Sequence, residues 1–240
     1  MISVCIPTYN GEKFIHEQLS SILNQLGNDD QVVISDDSST DSTIEIINSF
    51  NDKRIILLID NNFKSPIFNL ENALKNASGD YIFLSDQDDV WLSNRVALTL
   101  EYLKNYDLVV VNGSIVDANK KTILPSYFEW KKSRSGFLKN LFKNSYLGCS
   151  LAFNRKILKN ILPFPKKIAM HDIWIGLVSE IVGKTFFLDE KLFLYRRHEN
   201  NVTFSIDRTD DNLSDNSFAY KISYRIMFIY YLVLRIILNK

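Results

Sequence analysis

The sequence predicts an α/β fold with a mainly parallel central sheet flanked by helices. In the first hundred residues, short apolar runs alternate with segments of helical period, which is the pattern of β-α-β units. Acidic segments directly follow two of these runs, as ligand-binding loops follow the strands of open parallel sheets. The 240 residues, 46% hydrophobic and 23% charged, are enough for one large domain with an appendage. Disordered and low-complexity classes are excluded.

The elements of the first half follow from apolar spacing and from start and stop signals. Strands are predicted at 2–6, 31–35, 54–59, 81–84 and 108–111. A helix after Asn10 carries one apolar stripe and ends at Gly27, and others are predicted at 43–50 and near 94–104. Between them, Ser65 and Pro66 begin a helix that stops at Gly79.

In the second half of the sequence, strand and helix patterns alternate less regularly. Residues 113–148 contain no clear β-α-β unit, and 127–143 mixes aromatic with basic residues, which indicates a surface-binding region. Further on, we predict a helix at 171–182, short strands at 186–188 and 192–195, a polar loop at 202–217 and an apolar helix at 218–238.

Charge and cysteine content exclude several classes. The chain has 28 basic and 28 acidic residues, so it has no overall positive field, and we expect no nucleic-acid partner. Cys5 and Cys149 are far apart and match neither a disulfide scaffold nor zinc spacing. Because the sequence opens on a strand without a signal-peptide pattern, a cytoplasmic location is predicted.

Two acidic clusters follow predicted strands: Asp36-Asp37, and Asp86-Gln87-Asp88-Asp89. Carboxylates gathered in one crevice repel, and oxygen ligands at this spacing suit Mg²⁺ or Mn²⁺ bridging to a diphosphate. The alternative is that these residues only cap helices and form turns. No Walker loop or G-x-G-x-x-G motif is present, so a bound nucleotide would depend on carboxylates, metal and backbone groups.

Three ordered motifs, VCIPTYN at 4–10, SDDSSTD at 35–41 and LSDQDDVW at 84–91, resemble the signatures of family 2 inverting glycosyltransferases with the GT-A fold. The third is similar to that of bacterial rhamnosyltransferase-like members that build cell-surface polysaccharide. The resemblance implies a nucleotide-sugar-binding half at 1–112, an acceptor-binding and catalytic half at 113–215, and an appended C-terminal apolar helix at 216–240.

The resemblance also implies the donor site, for a UDP- or dTDP-sugar. Pro7, Thr8 and Tyr9 would line the pyrimidine and ribose, and Asp37 would accept from the base N3–H. Asp86 would face the ribose or the metal. Of the remaining acidic residues, Asp88 would be the principal metal ligand and Asp89 would position the loop or the donor sugar. Trp91 and Arg95 are interpreted as packing and helix-surface residues.

The resemblance places the catalytic base at Asp172, preceded by His171 on the acceptor side where the family usually has Glu. The alternative for Asp172 is a first-turn residue that suits the helix dipole. In the stretch 195–203, Arg196 and Arg197 would bind the diphosphate or order the loop. His198 would be a further metal ligand, or else a structural residue. The QxxRW motif of processive synthases is absent, which indicates transfer of a single sugar residue.

The predicted function is therefore inverting, metal-dependent transfer of a sugar to a glycan or lipid-linked acceptor. The alternatives are a catalytically silent nucleotide-sugar-binding subunit and a Mg²⁺-dependent phosphoryl-transfer protein. The C-terminal helix, with the basic stretch 131–143, is predicted to contact the inner face of the cell membrane peripherally, since it is too short to span a bilayer. The alternatives for this helix are packing on the core or in a homodimer.

Overall fold

The computed structural model describes residues 1–198 and 218–236. The strands are β1 (Ile2–Thr8), β2 (Gln31–Asp36), β3 (Ile55–Leu58), β4 (Tyr81–Leu84), β5 (Val90–Trp91), β6 (Leu108–Val116), β7 (Thr122–Leu124), β8 (Leu151–Asn154) and β9 (Thr185–Arg196). The helices are α1 (Ile15–Leu23), α2 (Thr43–Ser49), α3 (Pro66–Asn76), α4 (Arg95–Leu103), α5 (Tyr127–Lys131), α6 (Phe137–Phe142), α7 (Leu158–Ile161), α8 (His171–Val182) and α9 (Phe218–Ile236).

The strands form one mixed sheet in the order β3-β2-β1-β4-β8-β6-β9-β5, with β7 paired to β6. Strands β1 to β4 run parallel, and the register aligns Thr8 with Asp36 and Cys5 with Leu84. Because β8 is antiparallel to both β4 and β6, β6 and its parallel neighbour β9 point the same way as β4. The carboxyl ends of β1, β2, β4, β6 and β9 therefore lie along one edge of the sheet.

The predicted α/β fold class is confirmed, and the helix at 171–182 has the predicted bounds. The prediction of two short strands at 186–188 and 192–195 is wrong, because β9 is continuous. Its exposed polar residues 189–191 lie beside shifts in the register with β6, so the strand absorbs them as an irregularity. Strand β6 also extends past 111. Gly113 lets it pass the ring of Phe193, which a Cβ there would overlap.

The C-terminal helix α9 packs on α8 and α7. Phe228 and Leu232 are buried, and the Phe228 ring makes an edge contact with Trp174, with ring centroids 5.6 Å apart. Arg235 donates to the carbonyl oxygens of Leu162 and Pro163 beyond α7. Within the described residues, α9 and the other helices all fall short of the length and apolar character needed to cross a bilayer. The loop predicted at 202–217 lies outside the described residues.

Candidate active site

Gln87 joins the loops that follow β1 and β4. Its Oε1 accepts from the backbone N–H of Tyr9 at 2.9 Å, and its Nε2 donates to the Tyr9 carbonyl at 3.0 Å. Gly11 leaves the space that the Gln87 side chain fills. Gln87 has no predicted role, because nothing local to the D-Q-D motif indicates a partner 78 residues away. The two loops are thus held together as one wall of the crevice.

The residues predicted to line the nucleotide differ in their exposure. Thr8 is buried, and its hydroxyl donates to Asp36 Oδ2 at 2.7 Å, which ties β1 to β2. Pro7 is half-buried, and the Tyr9 side chain is 56% exposed. Thr8 therefore supports the crevice from below, whereas the Tyr9 ring is open to a planar ligand.

Asp37 lies partly exposed at the end of β2 and holds the loop before α3. Its Oδ1 accepts from the Phe63 backbone N–H at 2.6 Å, and its Oδ2 accepts from that of Ser65 at 3.2 Å. Each carboxylate oxygen has more than one lone pair, so the side chain can still accept from a ligand.

Asp88 and His198 meet although 110 residues separate them in the chain. Asp88 Oδ2 and His198 Nε2 are 2.8 Å apart, with the two side chains only 11% and 14% exposed. The ring of Phe14 packs against the imidazole at a centroid distance of 4.7 Å. Carboxylate oxygen and imidazole nitrogen atoms facing each other at this separation can ligate one divalent cation, and Mn²⁺ accepts both types of ligand. These two residues therefore fit a metal site.

Arg196 is buried and its guanidinium contacts protein groups around this pair. Nε donates to the Asp88 carbonyl at 2.8 Å, Nη1 to the Ala118 carbonyl at 2.6 Å, and Nη2 to Glu17 Oε2 at 2.5 Å. The backbone N–H of Arg196 donates to Asp89 Oδ1 at 3.1 Å. The resemblance implied either diphosphate binding or loop ordering for Arg196, and these contacts with protein groups favour loop ordering.

Asp86, Asp89 and Cys149 form a cluster with their ligand atoms within 4.8 Å of one another, in which Asp89 and Cys149 are buried and Asp86 is half-buried. Burial, with the charge of Asp88, raises the pKa of Asp86 to about 7 and that of Asp89 well above its ordinary value. Burial and the two carboxylates also raise the pKa of the Cys149 thiol. A protonated thiol is a hydrogen-bond donor and a poor ligand for a hard cation, so the two buried members, Asp89 and Cys149, support the loop.

Arg95 supplies the buried positive charge next to this cluster. Its Nη2 donates to the carbonyl oxygens of Leu84 and Cys149, and its guanidinium lies 4.2 Å from the Trp91 ring centroid. Burial lowers the pKa of Arg95 to about 10. The prediction of a helix-surface position is wrong, because Arg95 and Thr99 share the buried face of α4. The prediction that Trp91 is a packing residue is confirmed.

Asp172 lies in the first turn of α8 and is only 3% exposed. Its Oδ2 accepts from Asn144 Nδ2 at 3.2 Å, and its Oδ1 from the Ile173 backbone N–H at 2.6 Å. Burial raises the pKa of Asp172 to about 6 despite these bonds. Its charge adds to the raised pKa of Asp86, so the two carboxyl groups lie within electrostatic range of each other.

His171 packs against the 3₁₀ turn that begins at Gly148. Its Nε2 occupies the space that a Cβ on Gly148 would fill, so a side chain there would displace the imidazole. Burial lowers the pKa of His171 to about 4, and the ring is therefore neutral at neutral pH. The neutral imidazole can take part in a hydrogen bond but carries no charge.

Arg197 borders a cleft beside His198. Its backbone N–H donates to the Val116 carbonyl at 2.8 Å, and its guanidinium lies 4.9 Å from the Tyr195 ring centroid. The cleft has a volume of about 420 Å³ and is lined by Lys13, Phe14, Asp117, Ala118, Asn119, Arg197 and His198. Two cationic side chains thus flank the candidate metal site.

Comparison with known proteins finds one matching family model, glycosyl transferase family 2, over residues 3–162. The chain is 30% identical over 213 residues to the dTDP-rhamnosyl transferase RfbG of Shigella flexneri, covering 81% of this chain and 72% of RfbG. It is 28% identical over 165 residues to the Escherichia coli UDP-Glc:alpha-D-GlcNAc-diphosphoundecaprenol beta-1,3-glucosyltransferase WfgD. That match covers 69% of this chain and 64% of WfgD.

Solved structures share the fold at low identity. Staphylococcus aureus TarS (residues 1–349) superposes with a TM-score of 0.67 at 23% identity, over 81% of this chain and 60% of that one. The complex of TarS with UDP-GlcNAc superposes with a TM-score of 0.70 at 21% identity, over 97% of this chain and 72% of that one. The mannosyltransferase PcManGT from Pyrobaculum calidifontis, in complex with GDP-Man and Mn²⁺, superposes with a TM-score of 0.66 at 19% identity. This superposition covers 83% of this chain and 58% of that one. The GT-A fold implied by the sequence motifs is confirmed.

Proposed function

Because the chain belongs to glycosyl transferase family 2, we propose that it transfers a sugar from a UDP- or dTDP-sugar to a glycan or lipid-linked acceptor in bacterial cell-surface polysaccharide synthesis. The observation that carries this proposal is the pairing of Asp88 with His198 at the carboxyl edge of the sheet, with Asp172 close enough for its charge to act on Asp86 of the same loop. The names of RfbG and WfgD support these donor and acceptor classes. The chain spans only 64% of WfgD, so the activity is argued from the site.

In the donor half, residues 1–112, we assign the base to the exposed Tyr9 ring and the Asp37 carboxylate. Uracil and thymine both present an N3–H donor, which Asp37 can accept alongside its two backbone bonds. Pro7 would contact the same base or ribose, with Thr8 as its buried support. Asp86 would face the ribose. Residues 113–215 would supply the acceptor half.

Asp88 and His198 would hold Mg²⁺ or Mn²⁺, since their coordinating atoms already face each other. A cation bound there would offset the negative charge that develops on the leaving diphosphate. Arg197 and Lys13, which line the adjacent cleft, would donate to phosphate oxygens. Arg196 and Asp89 would instead fix the loop that carries Asp88. The Mn²⁺ complex of PcManGT, which shares the fold, supports a metal of this kind.

Asp172 would act as the general base. A hydroxyl is a weak nucleophile at neutral pH, and a carboxylate within hydrogen-bond reach accepts its proton as it attacks the anomeric carbon. A pKa of about 6 suits this role, because the group is ionised at pH 7 and is more basic than an ordinary carboxylate. Asn144 and the Ile173 N–H fix its orientation. Attack from the face opposite the diphosphate inverts the anomeric centre and needs no covalent intermediate.

The test is calorimetry with UDP-, dTDP- and GDP-sugars, with and without Mn²⁺, together with transfer assays on lipid-diphosphate-linked sugars. We expect a pyrimidine donor to bind more tightly with Mn²⁺ and to be turned over. Asp88→Asn should abolish the Mn²⁺ effect, whereas the matched control Asp29→Asn, in an exposed loop at the other end of β2, should not. Donor binding without turnover on any acceptor would identify a silent subunit. No binding of any nucleotide sugar would refute the proposal.

A lipid-linked acceptor would place the reaction at the inner face of the cell membrane. WfgD is named for an acceptor of this class, a sugar on diphosphoundecaprenol. We therefore propose a cytoplasmic enzyme that contacts the membrane peripherally.

A further inference from the structure

Among its described side chains, helix α9 presents an exposed apolar stripe. Ile226, Ile229, Tyr230 and Val233 are 63%, 43%, 58% and 42% exposed. Their spacing of i, i+3, i+4 and i+7 places them on one side of the helix. Phe228, which is buried against α8, belongs to a different side. Contact with the core therefore accounts for one side of α9 and leaves this stripe exposed.

Helix α6 adds two apolar side chains beside α9. Leu138 is 67% exposed and Phe142 is 63% exposed. Arg225 of α9 joins the two helices, because its Nη2 donates to the Phe142 carbonyl at 2.9 Å and its guanidinium lies 5.2 Å from the Phe142 ring centroid. We call the exposed apolar side chains of α6 and α9 the docking face: Leu138, Phe142, Ile226, Ile229, Tyr230 and Val233.

In the described part of the chain, the exposed charges on and beside α6 and α9 are mainly positive. Lys132, Arg134 and Lys143 are exposed on and next to α6, where Glu129 is the single acidic residue between 127 and 143. The sequence of α9 contains no acidic residue. Apolar side chains bordered by cations match an anionic bilayer surface. A two-fold pairing with a second copy would bring the same cations together, so the charge favours lipid over self-association.

The docking face adjoins the proposed base. Phe142 precedes Asn144 by two residues, which is at most about 7 Å of extended chain, and Asn144 donates to Asp172. We propose that α6 and α9 together seat the enzyme on an anionic membrane leaflet and so hold Asp172 near the head group of a lipid-linked acceptor. This inference rests on the proposed function for the acceptor, but the docking face can be tested separately.

The experiment is flotation of the full chain with phosphatidylcholine vesicles, with or without phosphatidylglycerol. We expect binding to the anionic vesicles that weakens as salt is added. The double variant Leu138→Ser/Ile226→Ser should lower the partition coefficient about tenfold or more. The control Ile59→Ser/Ile123→Ser removes two exposed apolar side chains elsewhere, 49% and 41% exposed, and should partition like wild type. Lys132→Gln/Lys143→Gln should weaken binding to anionic vesicles only.

Equal partitioning of wild type and Leu138→Ser/Ile226→Ser would overturn the inference. So would sedimentation velocity showing a wild-type dimer that this variant dissociates, combined with no vesicle binding. Donor affinity, measured by calorimetry without vesicles, should be the same in every variant. Vesicle binding without donor affinity would therefore refute the proposed function alone, and donor affinity without vesicle binding would refute the docking face alone.

Discussion

Replacing Asp172 by Asn should make the protein more stable while it removes the proposed base. The carboxyl is almost fully buried, and burial raises its pKa from the ordinary 3.8 to about 6. In the folded chain it therefore binds a proton more tightly than in the unfolded chain. The contribution of the Asp172 carboxyl to the free energy of unfolding is therefore most favourable below pH 3.8. It declines as the pH rises toward 6 and stays reduced above pH 6.

The size of this effect follows from the pKa. Each tenfold change in proton affinity is worth about 1.4 kcal/mol, so a rise to about 6 corresponds to about 3 kcal/mol at pH 8. Asparagine is neutral at every pH and avoids this cost. Its amide N–H₂ would face the Asn144 donor, and a mismatch of that kind costs about 1 kcal/mol. We therefore expect a net gain of about 1–3 kcal/mol at pH 8.

Urea denaturation of wild type, Asp172→Asn and the surface control Asp29→Asn at pH 8 and at pH 4 measures this directly. The gain for Asp172→Asn should be present at pH 8 and absent at pH 4. The control should stay within about 0.5 kcal/mol of wild type at both. Transfer should fall by about 10²–10⁴ with donor affinity retained. An Asp172→Asn protein less stable than wild type at pH 8, or equally stabilised at both pH values, would refute the reasoning.

Three further outcomes are expected. Asp88→Asn should lose Mn²⁺ binding by calorimetry and about 10²-fold or more in kcat/KM. Retained turnover would remove Asp88 from the metal site. The wild-type kcat/KM should fall about tenfold per pH unit below pH 6, because Asp172 becomes protonated; a flat profile down to pH 5 would contradict its role. Glu17→Gln should cost about 1–3 kcal/mol in urea denaturation and weaken Mn²⁺ binding, because it leaves the buried Arg196 charge without its carboxylate. Lys120→Gln, which removes the exposed partner of the same Glu17, should cost less than about 1 kcal/mol. Equal stability losses in Glu17→Gln and Lys120→Gln would contradict the proposed contribution of the Glu17–Arg196 pair.

The sequence predicted the sheet and the loops at its edge because both depend on local patterns. Apolar runs such as 81–84 form strands, and the acidic segment after them lies at a carboxyl end by the geometry of parallel sheets. Helix α8 was also predicted with its bounds, and Asp172 lies in its first turn, where the family resemblance placed it.

Contacts between distant segments were not predictable in this way. Gln87 binds the backbone of Tyr9, and Asn144 binds Asp172, yet neither has a local signal that names its partner. The predicted surface position of Arg95 was wrong because a charged side chain on a helix is usually solvated, and this one is not. Here the aromatic ring of Trp91 and the buried carboxyls give the guanidinium an interior environment, which only the folded chain assembles.

Arg196 links the proposed donor and acceptor halves of the chain, which limits how acceptor specificity could be exchanged. It belongs to the proposed acceptor half at 113–215, yet its guanidinium and backbone bind Glu17, Asp88 and Asp89 of the proposed donor half at 1–112. A chimera joined after residue 112 would take the arginine and His198 from one parent and their acidic partners from the other. Grafts that stop before β9 would take Arg196, His198 and their acidic partners from the same parent. The segment from β7 through α8 is therefore the unit to exchange.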